Sequence, residues 1–521
     1  MQRTPRILWA DDEIDLLKPH ILFLEGKGFH ITPVNSGVEA LERLREEVFD
    51  LVFLDEQMPG LNGIETLQRL KEHRPHLPVI MITKSEEEHI MEEAIGSKIS
   101  DYLIKPVNPN QILLAIKKNL DEGRLISEKA MSDYQREFRD LSMQLMGPLS
   151  ASEWASIFRR LVHWKLELEK SEDDGMKDIL EMQYKDANRQ FGKFYEQNYA
   201  EWMAGPGEGV PLLSHRLLPE RLPRVWSELK DGQKVYLVVI DNLRFDQWKM
   251  IEPLLLSRFD VVHDETYYSM LPTATQYARN ALFAGLSPAE IARVYPQFWI
   301  GEDEEGSKNK FEGELLSALL NRMDFKGKST YHKVANLAAG KRFMDQFHQT
   351  KDNDFTAVVY NFVDMLSHAR TEMEVLKELA EDEAAYRSLT LSWFEHSALK
   401  ELLGRMADQG ARVIITTDHG TVRVNNPIKV KGERSTNTNL RYKVGRNLGY
   451  DGEDVFELRD PEAAGLPRPQ VSSAYIFARE DDFLVYPNNY NHFAQYFRDT
   501  FQHGGISLEE VIIPWIELDP N

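Results

Sequence analysis

Apolar residues follow two rhythms along this chain. From residue 1 to about 122, short apolar runs at Arg6–Ala10, His30–Asn35, Asp50–Asp55, Val79–Thr83 and Tyr102–Lys105 are separated by amphipathic stretches. Runs of this length between helical patterns predict five βα units and a doubly wound parallel sheet. In such a sheet the ligand site lies at the carboxyl ends of the strands. From about 123 to 204 the strand rhythm stops. Trp154, Ile157, Leu161 and Trp164 recur at helical spacing, and Phe191, Phe194, Tyr195 and Tyr199 repeat the pattern. These stripes predict a small helical bundle with the aromatics as its core. The Gly/Pro-rich stretch Gly205–Pro211 reads as a linker. From about 212 to 521 a second, larger α/β pattern follows, with strands expected at Lys234–Asp241, Phe355–Asp364, Arg412–Asp418, Val471–Ala478 and Glu510–Leu518. The expected domains are thus 1–122, 123–204 and 212–521.

Composition narrows this picture. A chain of 521 residues exceeds what one core organises. It contains no cysteine, which excludes disulfides and thiolate zinc sites and suits a reducing cytoplasm. The first residues carry no signal-peptide pattern, and runs such as Val235–Ile240 are too short to span a bilayer. A cytoplasmic protein without membrane insertion is expected. The net charge of −22 opposes general binding to nucleic acid, so a local basic patch carries information.

Two groups of polar residues fall at strand ends. In the first, Asp11 and Asp12 follow strand one, Asp55 ends strand three, Thr83 ends strand four and Lys105 ends strand five. Clustered carboxylates with room for water suit Mg²⁺. A lysine and a hydroxyl facing them can each meet a phosphoryl oxygen. The segments Trp9-Ala10-Asp11-Asp12-Glu13, Leu54-Asp55-Glu56-Gln57-Met58-Pro59-Gly60, Ile82-Thr83 and Ile104-Lys105-Pro106 resemble the response-regulator receiver family. The resemblance implies phosphorylation of Asp55 by a sensor histidine kinase, Mg²⁺ held by Asp11, Asp12 and Asp55, and switch residues Thr83, Tyr102 and Lys105. It also implies a phosphorylation-dependent homodimer through the face of the fourth helix, fifth strand and fifth helix.

The second group comprises Asp241, Asp364, His368, Asp418, His419 and His503. Asp364 and His368 have i, i+4 spacing, which shares one face if a helical turn begins there. Mixed N/O ligands without sulfur suit Zn²⁺, or Mn²⁺ at similar geometry, and six are enough for two ions. Asp241-Asn242-Leu243-Arg244-Phe245-Asp246, Thr416-Thr417-Asp418-His419-Gly420 and His503-Gly504-Gly505-Ile506-Ser507-Leu508-Glu509-Glu510 resemble the PglZ-type domains of the alkaline phosphatase superfamily. That resemblance implies a nucleophilic hydroxyl within Pro272-Thr273-Ala274-Thr275, and two zinc ions. One would take Asp241, Thr275, Asp418 and His419; the other would take Asp364, His368 and His503. Thr275, ten residues before Gly285, is the preferred nucleophile, with Thr273 as its rival.

Between Gly420 and Val471 lies a long segment whose first part turns an acidic chain locally basic, with Arg434, Arg441 and Lys443 among seven cations from Arg423 to Arg446 and tyrosines interleaved. The segment is either a solvated loop or a lid over a nucleotide or oligonucleotide phosphodiester. The order receiver, helical bundle, PglZ-type domain is similar to that of response regulators of type IX secretion in Bacteroidetes-like bacteria. This implies a membrane sensor kinase upstream and a sigma factor as a further partner. Two functions are open: a zinc-dependent phosphodiesterase switched by phosphorylation, or a non-catalytic adaptor with a structural zinc site. No helix-turn-helix pattern follows the receiver, which disfavours direct DNA binding.

Overall fold

The structure, a computed structural model, describes residues 4–74, 77–84, 99–170, 174–302, 304–372, 382–433, 437–470 and 472–521. At 121–132, 174 and 368–372 it describes the backbone alone. The chain divides into two compact units: 1–137 with 170–174, and 138–169 with 175–521.

The first unit is the expected parallel sheet. Strands β1 (Arg6–Ala10), β2 (His30–Val34), β3 (Leu51–Asp55), β4 (Val79–Thr83) and β5 (Asp101–Ile104) lie in the order β2-β1-β3-β4-β5. Helices α1 (Lys18–Glu25), α2 (Gly37–Glu46) and α3 (Gly63–His73) connect them, and α4 (Pro109–Leu145) follows β5. The strands are apolar at nearly every position because both sheet faces are covered. Ile7, Trp9, Phe53, Ile80 and Ile82 enter one core, while Leu8, Ala10, Val52, Leu54 and Met81 enter the other. The fourth helix of the expected dimer face falls at 85–98, outside the described residues.

The second unit is built on a mixed six-stranded sheet. Its strands are β6 (Val235–Ile240), β7 (Phe259–Tyr268), β8 (Ser329–Val334), β9 (Phe355–Tyr360), β10 (Arg412–Thr416) and the last strand of the chain, Ile512–Pro520, in the order β7, last strand, β10, β6, β9, β8. β8, β9, β6 and β10 run parallel, and the last strand is antiparallel to both of its neighbours. The sequence rhythm does not predict β7 and β8. Both are edge strands of mixed burial, so neither carries an unbroken apolar run. The strand expected to end at Asp364 ends at Tyr360 instead.

Helices α5 (Ala151–Glu169) and α6 (Asp174–Ala204) belong to this second unit. Their aromatic stripes pack on its sheet: the rings of Trp154 and Phe191 are 5.6 Å apart, and those of Phe191 and Tyr268 are 6.0 Å apart. The Tyr195 hydroxyl donates to Ser269 O at 2.8 Å, and the Tyr268 hydroxyl donates to Ala151 O at 2.7 Å. Such bonds let a tyrosine be buried without an orphaned hydroxyl. Helix α7 (Ser214–Glu228) joins the core against Leu282, Phe283 and Leu319.

The basic segment is folded rather than loose. It contributes strands β11 (Val422–Arg423), β12 (Asn426–Lys429), β13 (Tyr442–Gly445) and β14 (Phe456–Leu458), which pair with β15 (Ala474–Phe477), β16 (Asp482–Val485) and β17 (Phe501–Gln502) in three small sheets. The final strand is therefore β18. The strand expected at Val471–Ala478 is β15, which lies in a small sheet and not in the central one. Two of the three expected lid cations face inward. Arg441 is fully buried, 2.6 Å from Glu510, and its Nη1 donates to Arg479 O at 3.0 Å. Lys443 is buried too, its Nζ donating to Asn437 O at 3.3 Å and lying 4.3 Å over the Tyr486 ring, and burial lowers its pKa to about 7. Neither presents a charge to a substrate. Arg434 lies outside the described residues. A basic run without apolar periodicity looks the same whether its charges face solvent or an acid across a fold.

Breaking one side of a buried ion pair strands the other charge in low dielectric. Arg441→Ala is expected to lower the unfolding free energy of the second unit by about 3–5 kcal/mol. Chemical denaturation followed by tryptophan fluorescence checks this; a loss below about 1 kcal/mol, as for an exposed pair, contradicts the burial.

Candidate metal and phosphoester site

In the first unit the acidic pocket assembles as the sequence implies. Asp11 follows β1 and Asp55 ends β3, both buried, and Asp12 beside them is exposed. Their carboxylate oxygens come within 4.8 Å of one another. Lys105 Nζ lies 2.9 Å from Asp11 Oδ2 and 3.0 Å from Asp55 Oδ1. The Thr83 hydroxyl donates to Glu56, a contact that sequence reasoning missed. Tyr102 is 39% exposed at the sheet edge. Burial raises the Asp55 pKa to about 6, assisted by the like charges of Asp11 and Asp12 and opposed by the Lys105 hydrogen bond.

The second site lies at the carboxyl ends of β6 and β10. Asp241 follows β6, and the chain then turns sharply because Asn242 adopts a φ of +65°. Asparagine tolerates that left-handed conformation better than most residues. The turn is closed by Leu243 N donating to Thr417 Oγ1 at 3.0 Å. Asp418 and His419 follow β10, and Gly420 allows the close approach there: a Cβ would meet Glu509 O at 1.9 Å. The donor atoms of Asp241, Asp418 and His419 lie within 4.8 Å of one another, and all three residues are buried.

Asp364 lies in the first turn of helix α13 (Phe362–Glu372), not at a strand end. The same helix contains His368, whose side chain is outside the described residues. His503 Nε2 lies 3.6 Å from Asp364 Oδ1, and the His503 ring stacks on that of His419 with centroids 4.2 Å apart. His419 Nδ1 is 3.0 Å from Gly420 O, and His503 Nδ1 is 3.1 Å from Thr273 O. A ring nitrogen that donates to a carbonyl fixes the tautomer and leaves Nε2 as a lone-pair donor, the arrangement typical of metal-binding histidines.

The two threonines differ in what they touch. Thr273 Oγ1 donates to Gly505 O at 2.9 Å and accepts from Gly504 N at 3.0 Å, so its hydroxyl holds the His503 loop. Thr275 opens helix α9 (Thr275–Ala284), and its Oγ1 lies 3.1 Å from His419 Nε2 and 3.5 Å from Asp241 Oδ1. Helix α9 ends at Gly285 with a φ of +58°, where a Cβ would meet Leu319 Cδ1 at 2.6 Å. Only glycine fits both constraints.

Sequence reasoning missed Arg279, although it sits one helical turn after Thr275. Its Nη1 lies 2.6 Å from Asp241 Oδ2 and 3.7 Å from Asp418 Oδ2. Burial pushes the Asp241 carboxyl well above the usual range, against the pull of Arg279, and Asp418 and Asp364 push the same way. Asp418 is also buried, yet His419 and Arg279 outweigh that and hold its carboxyl below the usual value. Asp418 Oδ2, fully enclosed, receives no hydrogen bond from the described residues. Buried carboxylates facing lone-pair imidazole nitrogens, with an unused oxygen between them, fit a divalent cation.

A receiver pocket in one unit and an alkaline-phosphatase-like site in the other define a two-component response regulator with an alkaline-phosphatase-like output domain. The description "BREX system PglZ alkaline phosphatase-like domain" matches residues 224–518, more than half of the chain. The chain therefore belongs to the PglZ alkaline phosphatase-like family, in the PorX-type architecture: "PorX response regulator linker domain" matches residues 124–203, and "Response regulator receiver domain" matches 7–117. Curated relatives match about a quarter of the chain. The transcriptional regulatory protein ZraR of Klebsiella oxytoca is 38% identical over 119 residues, 23% of this chain and 27% of that protein. SrrA of Staphylococcus aureus is 33% identical over 140 residues, 26% of this chain and 58% of that protein. The chain thus spans about a quarter of the length of relatives such as ZraR. A solved CheY-like receiver of Methanospirillum hungatei is 30% identical and covers 23% of this chain and 96% of its own, with a TM-score of 0.23. Among the described residues, no helix is long and apolar enough to cross a membrane.

The raised Asp55 pKa has a definite sign. Between the unfolded value of 3.8 and the folded value of about 6, the folded receiver binds the extra proton, so stability falls as pH rises through that window. In chelator, the receiver's urea midpoint should fall from pH 4 to 6 more in wild type than in Asp55→Asn. Mg²⁺ should narrow the gap by favouring the carboxylate. Parallel pH profiles for the two proteins would contradict this reading.

Proposed function

We propose that the second unit is a zinc-dependent phosphoester hydrolase acting on nucleotide or oligonucleotide phosphodiesters, with Thr275 as its nucleophile. The observation that carries this reading is the position of the Thr275 hydroxyl. It stands at the amino end of helix α9, 3.1 Å from His419 Nε2 and 3.5 Å from Asp241 Oδ1. A helix amino terminus favours the negative charge that develops on an attacking oxygen and on a bound phosphoryl group. Asp241, Asp418 and His419 would hold one zinc ion with Thr275; Asp364, His503 and His368 would hold the second. When bound, the two ions supply stabilisation of the threonine alkoxide and of charge on the phosphoryl oxygens. The Thr275 oxygen, its proton lost to solvent, would form a bond to phosphorus as the P–O ester bond breaks and the departing oxygen takes up a proton; water would then attack phosphorus and restore the Thr275 hydroxyl. The hydrogen bonds of His419 and His503 to Gly420 O and Thr273 O keep both rings oriented throughout.

The polyanionic substrate class is supported by cations that do face solvent, Lys429 and Lys431 in the basic segment. In the receiver, Asp55 accepts phosphate from a sensor histidine kinase with Mg²⁺ at Asp11, Asp12 and Asp55, and phosphorylation drives a homodimer that regulates hydrolysis. The match to the PorX linker supports a cytoplasmic role in control of type IX secretion, with a sigma factor as a further partner.

Purified protein should carry about two zinc ions per chain by elemental analysis. It should hydrolyse members of a panel of dinucleotides, cyclic dinucleotides and nitrophenyl esters. Thr275→Val should reduce turnover roughly 10³-fold or more with an unchanged melting temperature. Thr273→Val should chiefly lower the melting temperature. Normal turnover by Thr275→Val removes it as the nucleophile, and a zinc-loaded wild type that hydrolyses nothing on the panel makes the chain an adaptor.

A further inference from the structure

The geometry points to Arg279 as a positioning residue that presents Asp241 to the metal with one oxygen only; this rests on the zinc reading above. The two oxygens of Asp241 have different partners. Oδ2 meets Arg279 Nη1 at 2.6 Å, while Oδ1 faces Thr275 Oγ1 at 3.5 Å and His419 Nε2 at 3.8 Å. Oδ1 is thus turned toward the nucleophile and the imidazole, and Oδ2 is ion-paired with the protein's own cation, the two atoms in contact but not aligned as a hydrogen bond.

Arg279 cannot drift from this place. It is fully buried, on the turn of α9 that follows Thr275, and its Nε donates to Glu312 at 2.6 Å. Glu312 opens helix α11 (Glu312–Arg322) and is also fully buried. It is held from the other side by Lys333 Nζ on β8 at 3.1 Å and by the Tyr331 hydroxyl. A planar guanidinium anchored through Nε to Glu312 has its remaining nitrogens restricted in direction. The ladder Lys333–Glu312–Arg279–Asp241 therefore runs from a partly exposed lysine to the catalytic edge of the sheet.

Its charge balance favours a metal ion rather than replacing one. With Asp241 ionised, as a bound cation would hold it, Asp241, Asp418 and Glu312 supply three negative charges; Arg279 and Lys333 supply two positive ones. The remaining negative charge sits on the oxygens that face Thr275 and His419. Partners that orient metal-bound carboxylates in this way raise metal affinity about 10- to 100-fold.

The test uses the full-length protein and zinc itself. Competition with a chromophoric chelator should show one of two zinc ions bound about 10- to 100-fold more weakly in Arg279→Gln, the other being unchanged. Arg279→Lys should not restore it, because one ammonium cannot span Glu312 and Asp241. Glu312→Gln, which leaves the ligands intact, should weaken the same ion to a smaller degree and covers the case in which Arg279→Gln fails to fold. Excess zinc should restore the turnover of these variants, which a substrate-contacting role for Arg279 would not allow. Wild-type or tighter zinc affinity in Arg279→Gln, or turnover that zinc does not restore, overturns the inference. A wild type that binds no zinc overturns the metal reading beneath it, a result recognisable before any variant is made.

Discussion

Asp241 and Asp418 are two carboxyl groups buried side by side at the ends of adjacent strands, and their repulsion must be answered by positive charge or by a proton on Asp241. Much of the second unit is arranged around that requirement. Parallel pairing of β6 with β10 brings the two aspartates together, and the two stacked imidazoles are fixed by backbone carbonyls, His419 Nε2 beside Asp241 and Asp418 and His503 Nε2 beside Asp364. Arg279 answers part of the charge from within a helix that also presents Thr275. The receiver meets the same problem on a smaller scale: Lys105 answers Asp11 and Asp55, and the charge that remains is what a cation or a phosphoryl transfer acts upon.

Strands covered on both faces write themselves into the sequence as apolar runs, and the residues that end them are then easy to see. This is why Asp11, Asp55, Asp241 and Asp418 are legible without coordinates. Residues on irregular connections are less so. Asp364 lies one helical turn beyond its strand, and only the spacing to His368 hints at that helix. The supporting layer is the hardest to read, because Glu312 lies 33 residues from the Arg279 it anchors and nothing local marks either one. Arg441 shows the opposite error. Its neighbourhood is basic in sequence, yet its partner Glu510 lies 69 residues away and turns the side chain inward. Local charge predicts a surface only where no distant acid has been folded against it.

The alignment boundary of the PglZ region, at residue 224, is not where the folding unit begins. Helix α6 grips the chain just ahead of Thr273 and Thr275: Tyr195 donates to Ser269 O, and Tyr199 accepts from Leu271 N at 3.0 Å. The segment that joins receiver and PglZ region thus supports the turn that carries Thr273 and Thr275. The output domain must therefore travel with its linker helices. Shuffling experiments that cut at the family border would separate the PglZ region from part of its own scaffold.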